Sequence, residues 1–253
     1  MKAVFSLVLT AAFLSQDPPS AVQTLRAALG GEAALSSIQG LHIKATFEGR
    51  ARGNGETEWY LALPERLLEK SQFSQLRHPA GVPDAVLTGG FEHADRVSWS
   101  RTDGFVESTP LPSGVPAPKF WTDELRERSL VAGRFAYTRL LIPLLGTAST
   151  VTSSVAIPGG ILFQDRDRTT WTLKLDAAGL PASLLIEGRV ALEGLPVTQP
   201  MAPAVVTFSD YRPVEGGLIW PHKFVLTSQG EVLETTWIKS YEINGKMPKV
   251  LTK

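Results

Sequence analysis

The stretch at 208–222 constrains the fold of this chain more than any other feature. Its sequence is Phe-Ser-Asp-Tyr-Arg-Pro-Val-Glu-Gly-Gly-Leu-Ile-Trp-Pro-His. It predicts a strand, a turn built on Pro213 and Gly216-Gly217, and a second strand broken by Pro221. Similar strand–turn–strand units recur before and after it, with turn signals every ~8–12 residues. This spacing favours antiparallel hairpins over βαβ units, so we predict a mainly β fold.

Alternation of apolar and polar residues predicts the other strands. They are expected at 41–47, 59–63, 66–73, 85–88, 96–100, 151–157, 161–164, 171–175, 181–190, 204–208, 218–226 and 232–241. Within the third of these, Leu67-Leu68-Glu69-Lys70 alone could be helical. Asp176-Ala-Ala-Gly179 is a typical hairpin turn between two of the later strands.

Helices are few. Ser20 is a suitable cap for a short helix that Gly30-Gly31 ends, and a second short turn follows at 32–38. A longer helix is predicted at 123–145, which Pro143 should kink or end. Residues 108–119 hold four prolines and predict an extended or irregular excursion within one domain.

The N-terminus resembles a secretory signal. Lys2 precedes the apolar run 3–14, which is too short to span a bilayer and ends abruptly at Ser15-Gln-Asp-Pro-Pro19. We predict a cleaved signal peptide at 1–17, a single domain at 18–253 and a periplasmic or secreted protein. A buried N-terminal helix or strand is the alternative. No cysteine follows the run, so a lipid anchor there is not expected.

Composition excludes several function classes. The chain has 253 residues with 25 basic and 25 acidic side chains, so no charge excess points to nucleic acid or to an anionic membrane. Cysteine is absent, which excludes disulfides, thiol catalysis and cysteine-based zinc sites. We expect a monomer.

Catalytic and cofactor motifs are missing from the sequence. There is no Gly-x-Ser-x-Gly elbow, phosphate loop or dinucleotide fingerprint. The densest polar cluster, Glu92-His93-Ala-Asp95, could supply an acid–base pair or metal ligands, but we interpret it as solvated loop residues. The alternating charges at 164–168 are interpreted as a solvated turn. We therefore predict no catalytic residue, no metal ligand and no cofactor.

The tryptophans are more informative. Trp59, Trp99, Trp171, Trp220 and Trp237 lie on different predicted strands, and on one curved sheet they would line a broad apolar face. Such a face is either a close-packed core or an under-packed ligand cavity, and composition does not separate the two. The candidate cavity residues are Phe47, Trp59, Leu61, Trp99, Trp171, Leu173, Phe208 and Trp220.

Several short motifs resemble the LolA-like periplasmic carriers of the outer-membrane lipoprotein-sorting superfamily, and in particular its secreted branch. They are Leu29-Gly-Gly-Glu-Ala33 with Ile38-Gln-Gly-Leu41, the stretch 208–221, and Ile238 to Tyr241 with Glu242-Ile-Asn244. The hairpin at 176–181 fits the same pattern. The chain departs from it at Ala94-Asp95, where many relatives have Asp-Gly, and at the missing Phe-x-x-Pro tail.

The resemblance implies a strongly curved antiparallel sheet, a half-barrel, with a few helices closing its concave face. That face would bind a hydrophobic small molecule, a lipid or a lipoprotein acyl chain. One alternative is a periplasmic sensor or assembly module of the same fold that binds a protein, for instance one associated with a membrane. Another is a hydrolase that uses Glu92, His93 and Asp95.

Overall fold

A computed structural model describes most of the chain. It covers residues 21–49, 53–63, 66–75, 91–100, 104–111, 135–145, 151–165, 170–187 and 203–249. The predicted signal peptide, the predicted strand at 85–88 and the first part of the predicted helix at 123–145 lie outside these ranges.

Two short helices open the described chain, as predicted. Helix α1 is Ala21–Ala28 and helix α2 is Glu32–Ser36. Gly30, between them, has φ +125°, and a Cβ there would lie 2.6 Å from the Gly217 carbonyl oxygen. The Ile219 amide donates to the Leu29 carbonyl at 3.0 Å. Glycine at position 30 therefore lets the end of α1 touch the turn that follows 214.

The described strands form one antiparallel sheet. They are β1 Gly40–Gly49, β2 Gly53–Ala62, β3 Arg66–Gln75, β4 Phe91–Ser100, β5 Gly104–Leu111, β6 Val151–Ile157, β7 Gly160–Asp165, β8 Thr170–Leu175, β9 Pro181–Glu187, β10 Ala204–Val214, β11 Leu218–Ser228 and β12 Glu231–Ile243. Their order is β5-β4-β3-β2-β1-β12-β11-β10-β9-β8-β7-β6. Described strands that follow one another along the chain pair side by side, except β5 and β6, which stand at opposite ends of this order, and β1 joins the two halves by pairing with β12.

One face of this sheet, the inner face, carries the core. In β1, Leu41, Ile43, Ala45 and Phe47 are buried, as the period of two predicts. In sheet order, the strands from β3 to β7 contribute to a single core cluster together with α1, α2 and the segment 135–145. The sheet curves around these helical pieces, so the mainly β, curved-sheet fold is confirmed. The opposite side is called the outer face below.

The segment 135–145 covers the inner face. It is helical at 135–139, turns sharply at Leu141 with φ 62°, and continues as a 3₁₀ turn, Ile142–Leu144. The predicted end of the long helix near Pro143 is therefore confirmed. Arg26 on α1 is buried and donates to the Leu144 carbonyl, which ties the segment to α1.

Two predictions about prolines are wrong. Pro213 lies within β10 and not in the turn, and Pro221 lies inside a continuous β11. The reason is that each proline lies beyond the end of the hydrogen-bonded ladder on one side of its strand. The β9–β10 pairs extend only from Ala204 to Thr207, and the β11–β12 pairs start at Lys223. The missing proline N–H therefore breaks no bond in those ladders, and the Tyr241 hydroxyl donates to the Pro221 carbonyl at 2.5 Å.

Three further predictions need correction. Residues 104–107 begin a strand that the sequence did not suggest, and β5 continues into the stretch at 108–119 that was predicted to be extended or irregular. Glu92, His93 and Asp95 lie within strand β4 and not in a loop. Residues 66–75 form a strand, so the helical alternative at 67–70 is wrong.

Candidate ligand-binding face

Three tryptophans dominate the inner face. Trp59 on β2, Trp171 on β8 and Trp220 on β11 are at most 2 % exposed. Their indole Nε1–H groups are fully buried, and none donates a hydrogen bond to an acceptor in the described structure. A buried donor without an acceptor costs about 1–3 kcal/mol, and such donors are rare in folded proteins. The inner face therefore presents donors that an acceptor could satisfy.

Strands β7 to β11 form an apolar half of the inner face. Phe163 stacks on Trp171 with ring centroids 4.3 Å apart, and Phe208 meets Phe224 edge to face at 5.6 Å. The buried polar side chains that the structure describes all lie elsewhere, on α1, β1 to β3, β12 and the segment 135–145. Apart from the indole N–H groups of Trp171 and Trp220, the described side chains of this half attract a ligand through apolar burial.

A polar band crosses the other half of the inner face. On β2 and β3, the buried carboxyl group of Glu69 accepts from Ser71 at 2.9 Å and from Thr57 at 3.4 Å. On β12, Glu234 accepts from Thr236 at 3.1 Å. These five side chains are buried. Because buried carboxyl groups are costly unless hydrogen-bonded, the hydroxyl groups beside them stabilise the band.

Arg139 brings a positive charge to this band from the covering segment. Its Nη1 donates to Glu234 at 3.1 Å, and the two side chains are only 11 % and 9 % exposed. The guanidinium carbon lies 5.4 Å from the ring centroid of Trp59 and 5.7 Å from that of Phe135. The ion pair and the contact with Trp59 hold the segment against the sheet, whereas the contact with Phe135 lies within the segment.

A small cleft lies where these groups meet the apolar half. Trp59, Arg139 and Glu234 line it on one side, and Val206, Phe224 and Leu226 line it on the other. Its volume of about 10 Å³ is close to the space of one water molecule. The inner face at this point is packed under the segment 135–145.

A second polar cluster occupies the outer face of the same strands. The ring nitrogens of His42 lie 3.2 Å from Glu58 and 3.2 Å from Glu242, on the two strands that flank β1. Tyr60 stacks on His42 with centroids 4.0 Å apart and donates to Glu58 at 2.5 Å. That bond holds the pKa of Glu58 below its ordinary value, and burial together with the bond raises the pKa of Tyr60 to about 12.

This outer cluster has a structural role. Its side chains link β2, β1 and β12. The Lys44 ammonium group lies 3.8 Å from the Glu58 carboxylate and adds a weaker contact. Within the described ranges, no group of three or more histidine, aspartate or glutamate side chains is arranged to hold a metal ion.

The candidate cavity residues are buried where their side chains are described. Phe47, Trp59, Leu61, Trp171, Leu173, Phe208 and Trp220 all lie on the inner face. Trp99 lies on β4, and its side chain is outside the described structure. Trp237 was expected on the same face, but it is 38 % exposed and stands on the outer face between buried Thr236 and Ile238, so that expectation is wrong. A binding role for these residues stays a prediction.

Sequence reasoning missed the polar band and its cation. Glu234 and Thr236 share the period of two with buried Ile238, which is the signal that could have placed them inside. Arg139 follows Phe135 by four residues, the spacing of one helix face. Neither pattern names a partner, because the pairing arises from a contact between 139 and 234.

Comparison with known proteins gives structural likeness only. No protein-family model matches the sequence, and no curated protein matches it significantly. Among solved structures, the chain is similar to a LolA superfamily protein from Nitrosomonas europaea, with 10% identity and a TM-score of 0.40 over 92% of this chain and 97% of that one.

Two further solved structures show the same level of similarity. A predicted outer membrane lipoprotein-sorting protein domain from Vibrio parahaemolyticus has 12% identity and a TM-score of 0.41, over 92% of this chain and 97% of that chain. A DUF1329 family protein from Desulfovibrio piger has 6% identity and a TM-score of 0.41, over 92% and 95%.

Proposed function

We propose that this protein binds a lipid, or the acyl chain of a lipidated protein, on its inner face, outside the cytoplasm. The observation that carries the proposal is the group of Trp59, Trp171 and Trp220, which are fully buried on three separate strands with unsatisfied donors. Ligand sites are mostly apolar and aromatic, with a few polar groups that orient the ligand. The inner face has this composition.

Binding requires the covering segment to move. A ligand site usually encloses about 300–1,000 Å³, whereas the cleft at Arg139 holds about 10 Å³. The segment 135–145 is short, and its described side chains other than Arg139 are buried against the sheet. An acyl chain that takes the place of the apolar residues 140–145, with Arg139 still paired with Glu234, would bury the same apolar surface, at about 25 cal/mol per Å².

The protein is proposed to act without catalysis and after export. The sequence lacks the motifs of the common hydrolases, and the run at 3–14 supports a signal peptide. In the described residues, no helix combines the length and apolar character that crossing a membrane would need.

A protein-binding module finds less support. Its signature would be a contiguous exposed apolar patch. The exposed large apolar residues that the structure describes are Val155 on β6 and Val232 and Trp237 on β12. They stand singly, as exposed apolar residues commonly do.

Titration with dodecanoate or lysophosphatidylcholine, followed by tryptophan fluorescence, tests the proposal. We expect a spectral shift because buried indoles change their surroundings when the segment moves. Trp237→Phe is the matched control, since this exposed outer-face residue should leave the shift intact. Mass spectrometry of lipids that copurify with the protein is the second arm. A protein that carries no lipid, and whose fluorescence responds to neither probe, would refute the proposed function.

A further inference from the structure

The inner face is asymmetric along the sheet. Its apolar half, β7 to β11, offers aromatic and aliphatic side chains, whereas Trp59 lies beside the polar band. The cleft at Arg139 lies between the two halves, because Val206, Phe224 and Leu226 line it opposite Trp59. A ligand that spans both halves must itself be polar at one end and apolar at the other.

We propose that the polar end is the carbonyl group of an acyl ester, held by the Trp59 indole N–H and the Arg139 guanidinium. The hydrocarbon chain then runs over the apolar half, past Trp220 and Trp171. This inference rests on the proposed function and adds the chemical class of the ligand and the direction in which it binds.

The donors at this position favour an acceptor. The Trp59 Nε1–H is buried and donates to no described group. Arg139 donates from Nη1 to Glu234. Its planar guanidinium carries further N–H donors in fixed directions, and these can serve a second acceptor. An ester contributes oxygen acceptors and no donor, so it complements these groups without competing for the oxygens of Glu234.

The charges at this position disfavour a free carboxylate. Two carboxyl groups, Glu69 and Glu234, are already buried in the polar band, and Arg139 is paired with Glu234. A ligand carboxylate would lie near the Glu234 carboxylate and would have to share its Arg139 partner in a medium of low dielectric constant. A neutral carbonyl accepts the same hydrogen bonds without that repulsion.

Trp171 and Trp220 lack such neighbours. Trp171 is stacked on Phe163, and the described buried side chains around these strands are apolar. Among the described contacts, a cation over an indole ring is found at Trp59. Trp171 and Trp220 therefore serve as controls. An effect specific to the ester site should appear at Trp59 alone, whereas a general effect of buried indoles should appear at all three.

A matched pair of lipids tests the proposal. 1-Dodecanoylglycerol and 1-O-dodecylglycerol share chain and headgroup and differ in the ester carbonyl. By calorimetry below the aggregation concentration, the wild-type protein should bind the ester about tenfold more tightly, as expected for a buried hydrogen bond with a charged donor nearby. Dodecanoate should bind more weakly than the ester.

Two variants locate the effect. Trp59→Phe keeps an aromatic ring and removes the N–H, so the ester-to-ether ratio should fall towards about two. Trp171→Phe, which removes an N–H from the apolar half, should change both affinities in parallel and leave the ratio as in wild type. Circular dichroism checks that each variant is folded. The ester-to-ether affinity ratio of the wild-type protein tests the proposal even if a variant fails to fold.

The outcomes separate the two proposals. Equal binding of ester and ether by the wild-type protein overturns the ester position but leaves lipid binding standing. Loss of the ratio in Trp171→Phe and its retention in Trp59→Phe also overturn it. Binding of neither lipid refutes both. Dodecanoyl esters occur in free glycerolipids and in diacylglyceryl-modified peptides, and the relative affinity for a synthetic form of each identifies the source.

Discussion

The inner polar band, on β2, β3 and β12, and the outer cluster, on β1, β2 and β12, lie on opposite faces of the sheet and differ in their access to water. On the inner face, Arg139 and Glu234 are 3.1 Å apart with side chains 11 % and 9 % exposed. On the outer face, His42 is equally close to two carboxylates, but Glu58 is 36 % and Glu242 57 % exposed. Similar distances therefore describe interactions of different strength.

Exposure to water explains the difference in strength between the inner and outer ion pairs. Charges on the outer face are screened, so each pair there contributes at most about 1 kcal/mol. A buried pair has lost its hydration, and removal of one partner leaves an uncompensated charge, at a cost of about 3–5 kcal/mol. The two clusters therefore have different roles, because the outer one links strands, whereas the inner one fixes the covering segment and can orient a ligand.

The largest expected effect is that of breaking the inner pair. Arg139→Met should lower the free energy of unfolding by about 3–5 kcal/mol, because Glu234 would stay buried without the Arg139 guanidinium. Urea denaturation measures this loss. The double variant Arg139→Met/Glu234→Leu should be more stable than Arg139→Met alone, since it removes both buried charges.

An exposed ion pair provides the control. Lys239 lies 2.7 Å from Glu56, with side chains 51 % and 69 % exposed. Lys239→Met should change the free energy of unfolding by less than about 1 kcal/mol. If Arg139→Met cost no more than Lys239→Met, the contrast between the two faces would be refuted.

A smaller effect is expected for Glu58→Gln on the outer face. The pKa of Glu58 lies below its ordinary value of 4.5 in the folded protein, so the carboxylate stabilises the fold above about pH 4.5 and this contribution is lost as the pH falls through the lowered pKa. At pH 7 the variant should be less stable by at most about 1 kcal/mol. The difference in urea midpoint between the wild-type protein and Glu58→Gln should be smaller at pH 3 than at pH 7. A difference that is the same at both pH values would contradict the lowered pKa of Glu58.

The smallest effect at neutral pH is expected for Tyr60→Phe, at about 0.5 kcal/mol for one partly exposed hydrogen bond. Its signature lies in alkali. Because the pKa of Tyr60 is raised from 10.0 to about 12, the unfolded chain loses this proton first, and stability falls between those values. Wild-type stability should therefore decline more steeply than that of Tyr60→Phe from pH 10 to pH 12, as followed by circular dichroism in urea. Parallel declines would count against a perturbed Tyr60.

Much of the sheet could be predicted because strand alternation is local. Leu41, Ile43 and Phe47 face the core as expected, and the hairpin turn at 176–179 closes as predicted, with Asp176 accepting from the amides of Ala178 and Leu180 at 2.9 Å. The strand β5 was missed because Pro110 and the three prolines that follow it suggested an extended or irregular segment. Pro221 was predicted to break its strand because the sequence does not show where the β11–β12 ladder begins. Only the strand pairing reveals that Pro221 lies beyond that ladder.

The candidate site could be predicted only in its apolar part. Burial of Trp59, Trp171 and Trp220 follows from period-two positions within strands that a sequence can reveal. Trp237 was misplaced because it alternates with Thr236 and Ile238, which are buried, and the period of two then puts it on the outer face. The ion pair between Arg139 and Glu234 joins positions 95 residues apart, a relation that no local pattern carries.

The sequence by itself determined the mainly β character, the short N-terminal helices and the apolar composition of one face, since these depend on neighbours within a few residues. Tertiary structure alone decided that β1 pairs with β12, that the segment 135–145 covers the inner face, and that an arginine and two glutamates lie within it. The physical reason is distance along the chain. Burial and charge pairing are properties of groups brought together by folding, and their energies depend on how much water the assembled structure excludes.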